Sequence, residues 1–522
     1  PQGETEQELA AVARQLLGGR DALVVLDNIE PYVSELVHLV APLREAGAIL
    51  LLTARHDLPA AAVPPGASRR LDVLAPDEAQ ALFARLLVAT RTLVLTDDEI
   101  LHVQRIVQTL GYHTLAVRLA AVYAARRPYL AALADELERD PLKSPNDETP
   151  RGVALVLGRS VEALPDDARI LFAALAAFAT NDFGRQAALS VAAQLGVGDP
   201  DAAVDTLVRN ALLDTALDAT LPEGSDRERL RLHPLLRAYA AEQFGKQAEQ
   251  ERETTYQAIA THYARYVEHI SDSGITDLVL VSDETNLNDA LERAHTSGED
   301  DTVANLCDGL RQFWRDHGRT KEALAYLPWG IAAADLMASQ TSDPVTRLRA
   351  ARIERGYGDI LSNVGRLDEA EAIFQRNLRI RRSLEDRRGE GVDLSSLGQI
   401  ALSRGRLDEA DSFFQQSLVI DREVQDRRGE GVDLYELALI AEAIGDLDQA
   451  ETLHRQSLDI AIEVQAGQDI ADSYAYLGEF LIKRGKRGDG CRMLADAARL
   501  YDQMDIPGAE QTRERARELG CH

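Results

Sequence analysis

A forty-residue repeat in the second half of the chain constrains its fold more than any other feature. Gly365, Gly405, Gly445 and Gly485 stand forty residues apart, and residues 365–404 and 405–444, aligned without a gap, are identical at 23 of 40 positions. Gly-Arg-Leu-Asp-Glu-Ala recurs at 365–370 and 405–410, with Gly-Asp-Leu-Asp-Gln-Ala at 445–450. Asp-Arg-Arg-Gly-Glu-Gly-Val-Asp-Leu recurs at 386–394 and 426–434. Each unit reads as two helices, one ending at the glycine and the next running through the Leu-Asp-Glu-Ala segment. The glycine permits the tight turn between them. Small residues at Gly398, Ala438 and Gly478, and at Ala370, Ala410 and Ala450, let the paired helices approach, and Phe374 and Phe414 fill the space between them. One such pair cannot bury its apolar face, whereas stacked pairs bury a continuous core.

This spacing of small, turn and aromatic positions resembles the tetratricopeptide repeat, lengthened here to a period of forty. The resemblance is specific from about residue 350 to 500, and looser over 255–340, where Trp314, Gly318 and Ala323 hold comparable places. It implies an α-solenoid whose concave face takes a protein or peptide ligand. A plain spacer is the alternative.

A chain of 522 residues has room for three or four domains. Its formal charge of −29 argues against a nucleic-acid groove or an anionic membrane surface as main partner, because both reward positive charge. Three cysteines, Cys307, Cys491 and Cys521, are odd in number and far apart, so no disulfide framework or metal knuckle is expected. No apolar run reaches transmembrane length and no signal peptide opens the chain, so a bacterial cytoplasmic location is expected. The first residue is Pro1 rather than methionine, so a cloning boundary or a truncated frame is expected.

The front of the chain carries two short apolar runs. Residues 22–28 read Ala-Leu-Val-Val-Leu-Asp-Asn, and residues 48–55 read Ala-Ile-Leu-Leu-Leu-Thr-Ala-Arg. With a helix-length segment between them, they predict neighbouring buried strands of a parallel sheet. Ligands of such sheets sit at the carboxyl ends of the strands, where Asp27 and Arg55 fall. An acid and an arginine there suit a magnesium ion and a terminal phosphate. The loop that cradles phosphates, Gly-x-x-x-x-Gly-Lys-[Ser/Thr], is absent: of the five lysines only Lys143 precedes a hydroxyl residue, and Leu142 stands before it. An inert αβ cap is the plainer reading of this segment.

Residues 56–65, with Pro59, Pro64 and Pro65, read as a loop, and Leu71–Leu74 as a short strand. Pro76 and the acids after it open a helical stretch that reaches about residue 125. The proline-rich segment 139–150 is a linker. Residues 151–245 form a further helical unit, entered at Leu164-Pro165-Asp166, in which Leu212-Leu213 and Leu230–Leu236 read as the short strands of a wing. Nine arginines against thirteen acids over 151–245 leave a net charge of −4, which disfavours direct DNA binding.

Taken in order, these segments resemble a signal-transduction ATPase of the STAND class, of the NB-ARC kind, lacking the front half of its nucleotide domain. Leu-Val-Val-Leu-Asp27-Asn28-Ile-Glu30 is similar to the family's Walker B strand, and Leu-Leu-Thr53-Ala54-Arg55 to its sensor motif. Gly111-Tyr112-His113-Thr114-Leu115-Ala116 aligns with a Gly-x-x-Pro-Leu-Ala turn that packs on the adenine, Thr114 replacing the proline. Leu232-His233-Pro234-Leu235-Leu236 aligns with a Met-His-Asp motif whose histidine touches the ADP phosphates, proline replacing the aspartate. The resemblance implies a mostly α fold: the rear half of an NB-ARC nucleotide domain (1–70), a P-loop-type α/β fragment; a helical ARC1-like domain (71–140); a winged-helix domain (151–250); degenerate helical repeats (255–345); and tetratricopeptide repeats (346–515). It assigns Asp27 and Arg55 as catalytic and cofactor-binding, Asp27 as the magnesium ligand through water or phosphate, and His113, Thr114 and His233 to nucleotide contact. ATP or ADP with Mg²⁺ are the implied cofactors of the full-length ATPase; this chain alone is not expected to hydrolyse ATP, and Asn28 cannot act as a base. The implied mechanism is a switch: ADP holds a closed state, a partner on the repeats opens it, and the open form self-oligomerises. The alternative is a non-enzymatic repeat scaffold with a vestigial nucleotide fold.

Overall fold

In a computed structural model of the chain, the described residues are 23–26, 40, 43–44, 48–52, 74–91, 95–125, 129–139, 153–221, 226–273, 278–341, 343–504 and 508–521. They are mostly helical and fall in two compact units, Pro1–Val153 and Ala154–His522.

In the first unit, β1 (Leu23–Leu26) pairs with β2 (Ile49–Leu52) in parallel, Leu23 opposite Ile49 and Leu26 opposite Leu52. The parallel pairing follows the sequence reading, but the expected burial on both faces does not. Ile49 and Leu51 are 64% and 52% exposed. Alternate residues of a strand share a face, so on β2 the face of Ile49 and Leu51 is open while Leu50 and Leu52 on the other are half-covered. Four helices follow: α1 (Pro76–Arg91), α2 (Asp97–Thr109), α3 (Thr114–Ala125) and α4 (Leu130–Arg139). The expected strand at Leu71–Leu74 lies, up to residue 73, outside the described residues. Thr96 and Glu99 cap α2 reciprocally, the Glu99 N–H donating to Thr96 Oγ1 (3.3 Å) and the Thr96 N–H to Glu99 Oε2 (3.0 Å). The apolar helix α3 is buried almost all round, and Arg105 of α2 pairs with Asp135 (2.7 Å) and Glu138 (2.6 Å) of α4.

The second unit opens with α5 (Val153–Glu162), α6 (Asp166–Ala174), β3 (Asp182–Gly184), α7 (Arg185–Gln194), α8 (Pro200–Arg209), β4 (Asp214–Leu217), β5 (Glu228–Arg231) and α9 (Pro234–Gly245). The strands form an antiparallel sheet in the order β3-β5-β4. The first strand of the hairpin starts two residues later than the leucines suggest. Leu212 and Leu213 are drawn into the core, leaving the polar run Asp214–Leu217 as the exposed edge. The second ends at Arg231, before His233. A buried guanidinium ties the sheet to the helices beyond: Arg229 of β5 donates to Asp283 (2.9 Å) and to Asp182 (2.8 Å).

Helices α10 (Glu249–Ser273), α11 (Leu278–Thr296), α12 (Asp300–Asp316) and α13 (Thr320–Gln340) lead into the repeats. These are α14 (Pro344–Asn363), α15 (Leu367–Ser383), α16 (Arg387–Ser403), α17 (Leu407–Val424), α18 (Arg427–Ile444), α19 (Leu447–Glu463), α20 (Gly467–Lys483), α21 (Arg487–Gln503) and α22 (Ala509–Glu518). Gly365, Gly405, Gly445 and Gly485 sit at the turns within the helix pairs with φ of 80°, 70°, 86° and 81°, the left-handed region in which a side chain is strained. The core repeats with the sequence. Leu361, Ala370, Phe374, Leu378, Leu394, Leu397, Ile400 and Ile420 form one buried cluster, and the residues forty positions on form the next, with Ala401 in the place of Leu361 and the other seven types unchanged. A Cβ on Gly398 would lie 2.8 Å from the Phe414 ring, so the glycine is what lets the ring in. Full burial of one such phenylalanine stabilises the stack by about 1.5–3 kcal/mol.

One expectation is corrected at the end of the chain. Cys491 of α21 and Cys521 form a disulfide, because α22 doubles back and brings their Cα atoms to 5.5 Å despite a separation of 30 residues. Cys307 is a buried free thiol.

Candidate functional site: a charged groove on the repeats

The strongest candidate site lies on the first helices of successive repeats. A cavity of about 740 Å³ is lined by α12, α14, α16 and α18, with a floor from α15 and α17. A second, of about 310 Å³, continues it across α18, α19 and α20 and shares Arg428 and Val432. At that far end Tyr435 and Tyr476 lie with ring centroids 5.1 Å apart, Tyr476 half-exposed. Together they make a groove, polar for most of its length and aromatic at one end.

Four arginines and four aspartates set the electrostatics of the larger cavity. Asp359 receives Arg315 (3.4 Å) and Arg355 (3.6 Å), and burial pushes its carboxyl up against their pull. Arg388 pairs with Asp426 (2.7 Å), and Arg428 reaches Asp469 (3.0 Å). Burial acts to raise Asp426, but the Gly429 N–H and Arg388 outweigh it and hold the carboxyl below its usual range. Among the described residues neither Asp421 nor Asp433 forms a salt bridge, although Arg388 draws on Asp421. Burial pushes Asp433 up to about 7, the Ser395 hydroxyl drawing it part of the way back. Asp421 is pushed up to about 6, by burial first and then by Asp426 and Glu430. The two carboxyls are within hydrogen-bonding reach of each other, which takes a shared proton; with both ionised, Asp433 Oδ2 meets no donor.

One repeat earlier a guanidinium lies among the corresponding carboxylates, although Asp393 Oδ1 there also meets no donor. Arg381, which stands forty residues before Asp421, donates from Nε to Asp393 (2.8 Å) and pairs with Asp386 (2.5 Å). The three positions read Arg381, Asp386, Asp393 in one repeat, Asp421, Asp426, Asp433 in the next, and Ala461, Ala466, Ser473 in the third. The first holds one guanidinium between two carboxylates, the third carries no charge, and the middle one is three carboxylates. Sequence reading passed over this position, although the Arg381-to-Asp421 reversal is visible in the gapless alignment.

The residues singled out from sequence are distributed differently. Asp27 and Arg55 lie outside the described residues; β1 ends at Leu26, just before Asp27. His113 and Thr114 follow a turn in which Gly111 and Tyr112 have φ of 59° and 60°, and Thr114 begins α3. His113 is half-buried, its Nδ1 without a hydrogen-bond partner, and burial lowers its pKa. His233 is the N-cap of α9, its Nδ1 accepting from the Leu235 N–H at 3.2 Å. That contact gives the imidazole a local structural role at the start of α9. Among the described residues no group of three or more His, Cys, Asp or Glu is placed to hold a metal ion.

The fold and groove define a helical-repeat protein of the kind that stacks two-helix units. Residues 349–423 match the tetratricopeptide repeat family, and the chain carries tetratricopeptide repeats. It is also similar to regulatory protein AfsR of Streptomyces griseus, 31% identical over 249 residues, which cover 45% of this chain and 23% of that protein. The AfsR of Streptomyces coelicolor is 33% identical over 246 residues, 45% of this chain and 22% of that one. The chain thus spans under a quarter of the curated relatives it matches. Among solved structures, a STAND protein with a tetratricopeptide repeat sensor from Pyrococcus horikoshii aligns over 99% of this chain and 83% of its own, with TM-score 0.42 and 13% identity. BtubC from P. vanneervenii aligns over 50% and 93%, with TM-score 0.34 and 15% identity.

Proposed function

We propose that this chain is the regulatory and sensor portion of a STAND-type nucleotide-dependent signalling switch, whose repeats receive a polypeptide partner. The observation that carries the reading is the groove on α14, α16, α18 and α20, a preformed charged surface on stacked repeats. Its similarity to regulatory protein AfsR supports a role in regulation, and the order helix, helix, strand, helix, helix, hairpin, helix over 153–245 is in keeping with a winged-helix module. Partner binding would favour an open state and ADP a closed one; Asp27 and Arg55 are the residues that would hold ATP with Mg²⁺ in the open state. The coupling equals the difference in nucleotide contacts between the two states. Among the described residues no helix is long and apolar enough to cross a membrane.

A second reading, a repeat scaffold without nucleotide, is favoured by one observation: His233 already has a capping partner in Leu235. Calorimetric titration of ADP and of ATP with Mg²⁺ into the full-length protein separates the two. The switch requires binding that Asp27→Ala weakens about tenfold or more. Binding indifferent to Asp27→Ala, or none at all, leaves the scaffold.

A further inference from the structure

The repeats contain their own template for a ligand. In the 365–404 unit a guanidinium, that of Arg381, lies against the Gly389 backbone: a Cβ built on Gly389 would fall 1.9 Å from its Nη1. In the 405–444 unit the Asp421 carboxylate lies on Gly429 in the same way, 2.4 Å from the corresponding Cβ. The backbone cradle is retained while the charge is reversed. Asp421 and Asp433 are 4% and 1% exposed by residue, yet both line the 740 Å³ cavity, and Asp433 Oδ2 is unpartnered. Ser395 donates its hydroxyl to Asp433 Oδ1 (2.9 Å) and leaves the other oxygen for a ligand.

We propose that Asp421 and Asp433 form the seat for an arginine side chain of the bound partner, which supplies from outside the guanidinium that Arg381 supplies from within one repeat earlier. This rests on the partner-receiving groove proposed above. A guanidinium fits better than an ammonium because its planar fork can meet two carboxylates at once. The charged groups facing the seat are Asp426, Glu430, Glu436 and Arg388. Arg388 is largely exposed and engaged with Asp426, and Glu430 is paired with Arg422 and Arg427, so the uncompensated charge at the seat is that of Asp421, Asp433 and Glu436. In the empty groove a shared proton does what the cation would do, so binding releases a proton and strengthens as pH rises from 6 to 8.

The seat is tested with N-acetyl-arginine amide and its neutral citrulline counterpart as probes, by saturation-transfer NMR on the full 522-residue chain. Asp421→Arg restores the residue of the preceding repeat, so the substitution has a structural precedent; Asp408→Arg, exposed on α17, controls for net charge. Arginine amide is expected to bind about tenfold tighter than the citrulline probe, with that preference lost in Asp421→Arg and kept in Asp408→Arg. Equal binding of the two probes, or a preference that survives Asp421→Arg, overturns the seat. Ser396→Trp, which fills the groove beside it, separates the two ideas. Loss of arginine binding in Ser396→Trp but not in Asp421→Arg sinks the seat alone. Indifference to both substitutions sinks the groove as well.

Discussion

At the scale of single residues, the buried carboxyls of the repeats are the most consequential feature. Burial pushes Asp393, Asp433 and Glu354 up to about 7 and Asp421 up to about 6. Ordinary aspartate and glutamate titrate near 4, so between about pH 4 and 7 the folded state binds protons that the unfolded chain has released. These groups therefore add stability at the acidic end of that window and lose it as pH rises through the folded values. Thermal unfolding from pH 5 to pH 8 should show the melting temperature of the repeats falling, with Asp433→Asn flattening the fall and raising the melting temperature mainly at pH 8. An unchanged slope in Asp433→Asn would mean that this carboxyl does not carry its share. A second residue-scale expectation concerns Gly398, whose added methyl would meet the Phe414 ring at 2.8 Å. Gly398→Ala gains about 1 kcal/mol of helix propensity but pays about 1–3 kcal/mol for overpacking, so denaturant unfolding should register a net loss. Phe414→Leu in the same chain should recover part of it.

At the scale of elements, one hydrogen bond recurs in each helix pair. The side chains of Asn377, Ser417 and Ser457 donate to the carbonyls of Ala351, Gly391 and Gly431 at 3.0, 2.9 and 2.8 Å, each across 26 residues. All three donors are buried, so Ser417→Ala leaves the Gly391 carbonyl without that donor and should cost about 1 kcal/mol in equilibrium unfolding. Parallel ion pairs join neighbouring repeats: Arg387 to Glu423 at 2.6 Å, and Arg427 to Glu463 at 2.5 Å. Much of this was legible in the sequence, because a strict period places the same residue types in the same surroundings. The turns at the four glycines, the Gly398–Phe414 fit and the parallel pairing of β1 with β2 all follow from local pattern. The rest depends on contacts that pattern does not encode. Leu212 and Leu213 look like strand but serve the core. Cys491 meets Cys521 only because α22 reverses. The charge of Asp421 matters only once Arg381 is seen against Asp393.

At the scale of the whole molecule, the first unit holds the parallel strand pair that ends beside Asp27, and the second holds the repeats and their groove. We read the groove as the sensor of a nucleotide-linked switch, and the reading stands on whether the groove receives a polypeptide. The direct measurement is affinity selection of a displayed random peptide library on the full chain, followed by titration of the selected peptides against wild type and Ser396→Trp. Selected peptides should be rich in arginine and lose about tenfold or more in affinity for Ser396→Trp. Peptides that bind both proteins equally, or no selection at all, would contradict a partner-receiving groove.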